Sequence, residues 1–155
     1  MLDALYGGFS PAVTAVFSTG AWGWHIETAV HLLRLVLAGV FDRHPKLQIC
    51  IGHMGEAIPF MLERTNRVLP PQLTKLARPV ADYLRQNVHY TFGGFNFTPT
   101  FLNLLLEIGV DRIMFSADYP YGSMAEARSF LQHLPVSEAD RERIAHGNAE
   151  RLLRL

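Results

Sequence analysis

The chain has 155 residues, 14 of them Lys or Arg and 14 Asp or Glu, with 49% hydrophobic and 18% charged. That length and mixture exclude a disordered chain and give a single domain with its own core. The cancelled charge leaves no global field for nucleic acid or an anionic membrane, and one cysteine, Cys50, builds neither a disulfide framework nor a cysteine metal site.

In residues Met1 to Gly23, Gly7-Gly8, Ser10-Pro11, Gly20 and Gly23 interrupt every period, which predicts a long loop with room for one helical turn. No Lys or Arg precedes Arg34, which argues against a signal or transit peptide. The longest apolar stretch, Leu35 to Phe41, is far short of the roughly 20 residues of a membrane span. His25 follows Trp22 and Trp24 and reads as part of an aromatic packing corner. Glu27 to Arg43 is the first clear helix. It is apolar nearly all round, with a narrow polar stripe through Glu27, His31, Arg34 and Asp42, so it calls for two packing partners, one of them a neighbouring helix or subunit. His31 belongs to that surface stripe, and His44-Pro45 stops the helix.

Leu47 to Gly52 predicts a strand, and Glu56 to Leu69 a helix with Pro59 in its first turn. After Pro70-Pro71, Pro79 to Gln86 gives a short helix and Val88 to Phe92 a second strand, in which His89 is a strand residue. Thr98 as N-cap and Pro99 at the first position open a helix to Ile108. Ile113 to Ser116 is a third strand, followed by a helix over Met124 to Leu134. Ser137, spaced to Asp140 as a cap, opens another helix to His146-Gly147, and Asn148 to Leu155 forms a short amphipathic tail.

Strands alternating with helices predict a parallel sheet with right-handed crossovers. Three strands suit half of a (β/α)8 barrel, since a whole one takes about 250 residues. Chemistry in such folds sits at the carboxyl ends of the strands. His53 and Asp118 are the polar residues at two strand exits and converge on one mouth. The plainer alternatives are a buried histidine bonded to a backbone carbonyl and a turn aspartate helped by Pro120 and Gly122.

The segments Glu27-Thr-Ala-Val-His-Leu-Leu-Arg-Leu, Phe41-Asp-Arg-His-Pro-Lys-Leu, Ile51-Gly-His-Met-Gly-Glu and Asp111-Arg-Ile-Met-Phe-Ser-Ala-Asp-Tyr-Pro-Tyr succeed one another as in one family. From about Trp22 to Leu155 the chain resembles the amidohydrolase-2 family, and within it the metal-dependent non-oxidative decarboxylases such as γ-resorcylate, 5-carboxyvanillate and aminocarboxymuconate-semialdehyde decarboxylases. The resemblance implies the C-terminal half of a TIM-type barrel, with residues 1–26 a loop from a βα connection and 27–155 the half-barrel. It implies a divalent metal, zinc or manganese, of whose ligands only Asp118 maps onto this chain. His53 becomes a general acid/base that Glu56 orients, and His53 or Asp118 beside the metal manages the proton. Arg64, about two helical turns beyond Glu56, reaches a neighbouring subunit's site and binds a substrate carboxylate there. Tyr119 and Phe95, with Phe92 and Phe97, line an aromatic pocket.

The implied reaction of the complete enzyme is loss of carbon dioxide from an aromatic or unsaturated carboxylic acid. The alternatives are ester, lactone or amide hydrolysis, or an inactive half-barrel acting as a structural or oligomerising module. The expected setting is the cytoplasm, with a small carboxylate as substrate, no nucleic acid and no membrane. The expected partner is a second copy or the N-terminal half, without which this chain is inactive.

Overall fold

The computed structural model describes residues 5–155, so the first four residues of the predicted leading loop lie outside the described residues. In place of a structureless loop, the segment that follows holds a seven-residue helix, α1 (Pro11–Phe17), with Ser10 as its N-cap and Pro11 in its first turn. None of its residues is buried. The predicted first helix starts earlier than Glu27 and divides in two. α2 (Gly23–Leu37) ends where Gly39 turns left-handed, and α3 (Val40–Arg43) follows up to His44.

The order continues with β1 (Ile49–Ile51), α4 (Ile58–Val68), α5 (Pro71–Thr74), α6 (Val80–Gln86), β2 (Val88–Thr91), α7 (Thr98–Ile108), β3 (Ile113–Met114), α8 (Met124–Gln132), α9 (Glu138–Glu142), a π-helical turn (Arg143–Gly147) and α10 (Asn148–Leu153). Ser137 caps α9 as predicted. Thr98 does not cap α7: it is the first helical residue, and Phe97 holds the N-cap position without a side-chain bond.

The three strands form one parallel sheet in the order β1-β2-β3. Side chains alternate between the faces of a strand, so the register aligns Ile51, Tyr90 and Ile113 on one face. All three are buried in the cluster that includes Ile58 and Leu62 of α4, Leu84 of α6 and Leu104 of α7. Tyr90 completes the packing by donating its hydroxyl hydrogen to the Leu84 carbonyl at 2.8 Å. Leu32, Val36 and Phe41 extend the core through α2 and α3. This alternation of parallel strands and helices is the predicted α/β architecture, part of a (β/α)8 barrel whose sheet is open.

The other face is covered unevenly. Cys50 belongs to an apolar run that reads as buried on both sides, yet it is exposed, because its row faces the side that a closed barrel fills with side chains from further strands. In register beside it lies His89, only 4% exposed. Its Nε2 accepts from Arg112 Nη1 at 3.0 Å, and the same guanidinium donates to Gln48 at 2.7 Å. Among the described residues, His89 Nδ1 has no partner. Burial first, then the cations Arg112 and Arg151, hold the His89 imidazole down at about 4.

That depression makes stability depend on pH. The unfolded chain protonates His89 near its ordinary value of about 6.5 while the folded chain resists until about 4. The stabilisation is therefore complete above about pH 6.5 and is lost as pH falls through this window, by roughly 3 kcal/mol in all. Urea unfolding midpoints at pH 7.5 and 4.5 should differ by much less in His89→Leu than in the parent chain. An equal pH dependence in both would assign the effect elsewhere.

The C-terminal segment serves backbone groups along β3. Phe115 N–H donates to the Ile144 carbonyl at 2.8 Å, and the fully buried Asn148 donates to the carbonyls of Val110 and Ile113 at 2.8 and 2.7 Å. No helix of the described residues is long and apolar enough to cross a membrane.

Candidate active site

Where β1 ends, the backbone turns left-handed for five consecutive residues. His53, Met54, Gly55, Glu56 and Ala57 have φ of 47°, 55°, 85°, 55° and 64°. Non-glycine residues visit this region at a cost, so the turn exists because its surroundings hold it. Met54 and Glu56 are buried beneath it, and Gly55 N–H donates to the Gly52 carbonyl at 2.8 Å. Gly55 lies so close to β2 that an added Cβ would stand 2.7 Å from the Tyr90 ring and 2.9 Å from Pro59. This turn is why the predicted helix begins at Ile58 rather than Glu56.

The turn folds Glu56 back onto His53. His53 Nδ1 meets Glu56 Oε1 at 2.7 Å, and the second carboxylate oxygen, Oε2, meets His25 Nδ1 at 2.5 Å. His25 Nε2 in turn donates to the Gly20 carbonyl at 2.8 Å. Glu56 is 4% exposed, and a carboxylate at that depth needs partners for both oxygens. The rings of His25, His53 and Phe95 meet edge to face, with centroids 4.9, 5.0 and 5.4 Å apart.

His25 therefore corrects its reading as a member of a packing corner. The missed signal is its phase. Ala29, Leu32 and Val36 are the buried stripe of α2, and His25 stands at the spacing that continues this stripe, so a polar ring points inward at its end.

Asp118 arrives from the exit of β3, also with a left-handed φ, of 60°. Its carbonyl accepts from Gly122 N–H at 2.7 Å, which closes the turn. The exit of β2 presses on it: a Cβ on Gly93 would lie 2.6 Å from the Asp118 nitrogen and 2.6 Å from Ser116 Oγ. Asp118 Oδ2 thereby comes to 3.7 Å from His53 Nε2. The hydrogen bond to Glu56 raises the His53 pKa above its usual value; burial opposes this, and the negative charges of Glu56 and Asp118 reinforce it.

These groups line one cavity of about 520 Å³ with Gly20, Trp24, Thr28, Gly94, Phe95 and Tyr121, a size suited to a small organic ligand. The predicted set is thus partly assembled, with His53, Glu56, Asp118 and Phe95 together. Tyr119 is 78% exposed and does not line this cavity; Tyr121 does. Phe92 is buried in the core, Phe97 is exposed, and Arg64 is exposed on α4 away from the cavity. A second groove, of about 580 Å³, lies along α1 between Phe9, Val13, Val16 and Phe17. Among the described residues no ionisable side chain lines it, whereas the first holds His25, His53, Glu56 and Asp118.

For a divalent cation the cavity offers Asp118 Oδ2, with His53 Nε2 beside it at 3.7 Å. One carboxylate fits one side of such a site, which needs at least four ligands. Ligand atoms of His25, His53 and Glu56 also lie within 4.8 Å of one another, but the hydrogen bonds above already engage these three side chains.

A family model described as Amidohydrolase (Amidohydro_2) matches residues 7–155. The chain belongs to this amidohydrolase family. Among relatives, the γ-resorcylate decarboxylase of Rhizobium radiobacter is 42% identical over 139 residues, covering 86% of this chain and 42% of the relative. Among solved structures, 5-carboxyvanillate decarboxylase from Sphingomonas paucimobilis superposes with a TM-score of 0.87 at 32% identity, over 99% of this chain and 45% of that one. A dihydroxybenzoic acid decarboxylase from Polaromonas, solved with manganese and the inhibitor 2-nitroresorcinol, gives 0.83 at 35% identity, over 94% and 47%. The chain thus spans less than half the length of the curated relatives it matches.

Proposed function

We propose that this chain is the C-terminal half-barrel, residues 27–155 with the preceding segment as a connecting loop, of a metal-dependent decarboxylase of aromatic carboxylic acids such as hydroxybenzoates. One observation carries the reading: His53, held through Nδ1 by the buried Glu56, turns its Nε2 to Asp118 at the mouth of a cavity with room for a small organic acid. The decarboxylases among its relatives, one of them with bound manganese, support the same chemistry.

In this scheme Asp118 is a ligand of a divalent metal, zinc or manganese, whose other ligands come from outside the chain. When bound, the metal supplies positive charge to anchor the substrate and stabilise developing negative charge. Phe95 and Tyr121 flank the ring. The bond between ring carbon and carboxylate breaks, carbon dioxide leaves, and the electron pair stays on the ring carbon. His53, its pKa raised, donates from Nε2 the proton that this carbon takes up and keeps its hydrogen on Nδ1, where Glu56 holds the ring aimed.

Arg64 lies outside the cavity of its own chain, exposed on α4, and in this reading it serves the carboxylate bound in a neighbouring subunit. The sheet edge at Cys50 and the groove along α1 are the surfaces that a second copy or the N-terminal half would cover. The exposed thiol of Cys50 suits a reducing cytoplasm.

The test is to assay the complete gene product, loaded with manganese or zinc, on 2,6-dihydroxybenzoate and related acids. Carbon dioxide release that stops on chelation and returns with metal is expected. Hydrolysis of esters, lactones or amides without carbon dioxide would overturn the proposal.

A further inference from the structure

Nothing in the proposed reaction uses His25, although it makes one of the shortest polar contacts of the cavity. Both its ring nitrogens face oxygen acceptors: Nε2 the Gly20 carbonyl at 2.8 Å, Nδ1 the Glu56 carboxylate at 2.5 Å. The ring is therefore fixed in plane between the Gly20 carbonyl and the Glu56 carboxylate. Its side chain is 14% exposed, and Phe95 packs against it edge to face, which leaves it little freedom to turn.

Among the described residues, Glu56 is held on the other side only by His53. A glutamate has two rotatable bonds beyond Cβ, and one hydrogen bond leaves the rotation of its carboxylate open. Two bonds, one to each oxygen and from rings on different elements, close it. His25 comes from the first turn of α2 and His53 from the exit of β1, so the carboxylate also ties these two parts of the chain together.

We infer that His25 is a positioning residue: through Glu56 it fixes His53 in the form that carries its hydrogen on Nδ1 and presents Nε2 to Asp118 and the cavity. The inference rests on the proposed role of His53, and it gives the segment before α2 a share in the active site through the Gly20 carbonyl and His25. When Oε2 loses its partner, Glu56 turns to find another. His53 then samples both ring tautomers and orientations, as expected when the partner of an imidazole is removed.

The asparagine and glutamine variants separate this from mere packing. His25→Asn places an amide where Nδ1 stands and keeps a donor for Glu56. His25→Gln places it where Nε2 stands, keeps the Gly20 contact and abandons Glu56. Long-range 1H–15N spectra of the chain labelled at histidine report the tautomer of each ring, with the His53 signals assigned by their loss in His53→Ala. The parent and His25→Asn should show His53 with its hydrogen on Nδ1, and His25→Gln a mixture of the two tautomers.

An unchanged His53 tautomer in His25→Gln, or a mixture in His25→Asn as large as in His25→Gln, would overturn the inference. In the complete enzyme, His25→Gln should lower kcat by about 10–100-fold with a smaller change in KM, and His25→Asn should restore most of it. The spectra require no turnover. A failure of carbon dioxide release would therefore sink the reaction and leave the tautomer result standing, and an unaltered tautomer would sink the role of His25 alone.

Discussion

His53→Ala in the complete enzyme is expected to lower carbon dioxide release by about 10²–10⁴-fold, the range for loss of a positioned general acid, while leaving the fold in place. His53 is partly exposed at the cavity mouth and lies outside the core cluster, so truncation removes no core packing. The left-handed φ of 47° suits histidine better than alanine, a cost that the unfolding measurement reads apart from turnover. The loss should fall on kcat, because the proton is delivered in the transition state rather than in binding. Steady-state release of carbon dioxide, read beside thermal unfolding of the same samples, checks both halves. Turnover within a factor of two of the parent would return His53 to a structural role.

Gly55→Ala is expected to destabilise the chain by about 2–5 kcal/mol, from two sources that act together. A φ of 85° costs an L-residue roughly 1–2 kcal/mol. The new methyl would also stand 2.7 Å from the Tyr90 ring, and overpacking of a full core costs about 1–3 kcal/mol. Tyr90 cannot yield cheaply, since it is fully buried and its hydroxyl is tied to the Leu84 carbonyl. Urea unfolding of parent and variant measures the difference. A change below about 0.5 kcal/mol would mean that the strand and the turn separate more easily than the packing implies.

The alternation of strand and helix was readable because apolar runs at Ile49 to Ile51, Val88 to Thr91 and Ile113 to Met114 are bounded by turn residues and flanked by longer periodic stretches. The positions of His53 and Asp118 beyond two of these runs, with Glu56 three residues after His53, made that part of the site legible as well. What stayed hidden depends on contacts between distant segments. The pairing of His25 with Glu56 spans 31 residues, and no local pattern encodes it beyond the phase of the α2 stripe. The exposure of Cys50 stayed hidden because a strand with apolar neighbours looks the same whether or not a second layer covers it. The helix over Pro11–Phe17 is masked by glycines on both sides, and it buries none of the residues that would have marked a face. Tyr119 and Tyr121 differ by two positions in one turn, too fine a distinction for a turn whose path Gly122 and the exit of β2 decide.

The left-handed run from His53 to Ala57 also bears on how this protein would respond to selection for heat resistance. Its four non-glycine residues together forgo on the order of 4–8 kcal/mol, comparable to the whole net stability of an ordinary domain. Ala57, exposed with φ 64°, is where glycine would recover part of that most cheaply. A screen that rewards only survival at high temperature should therefore enrich glycine at 57. The same variant would loosen the arm that carries Glu56, so thermal tolerance and catalytic alignment are opposed within one five-residue turn.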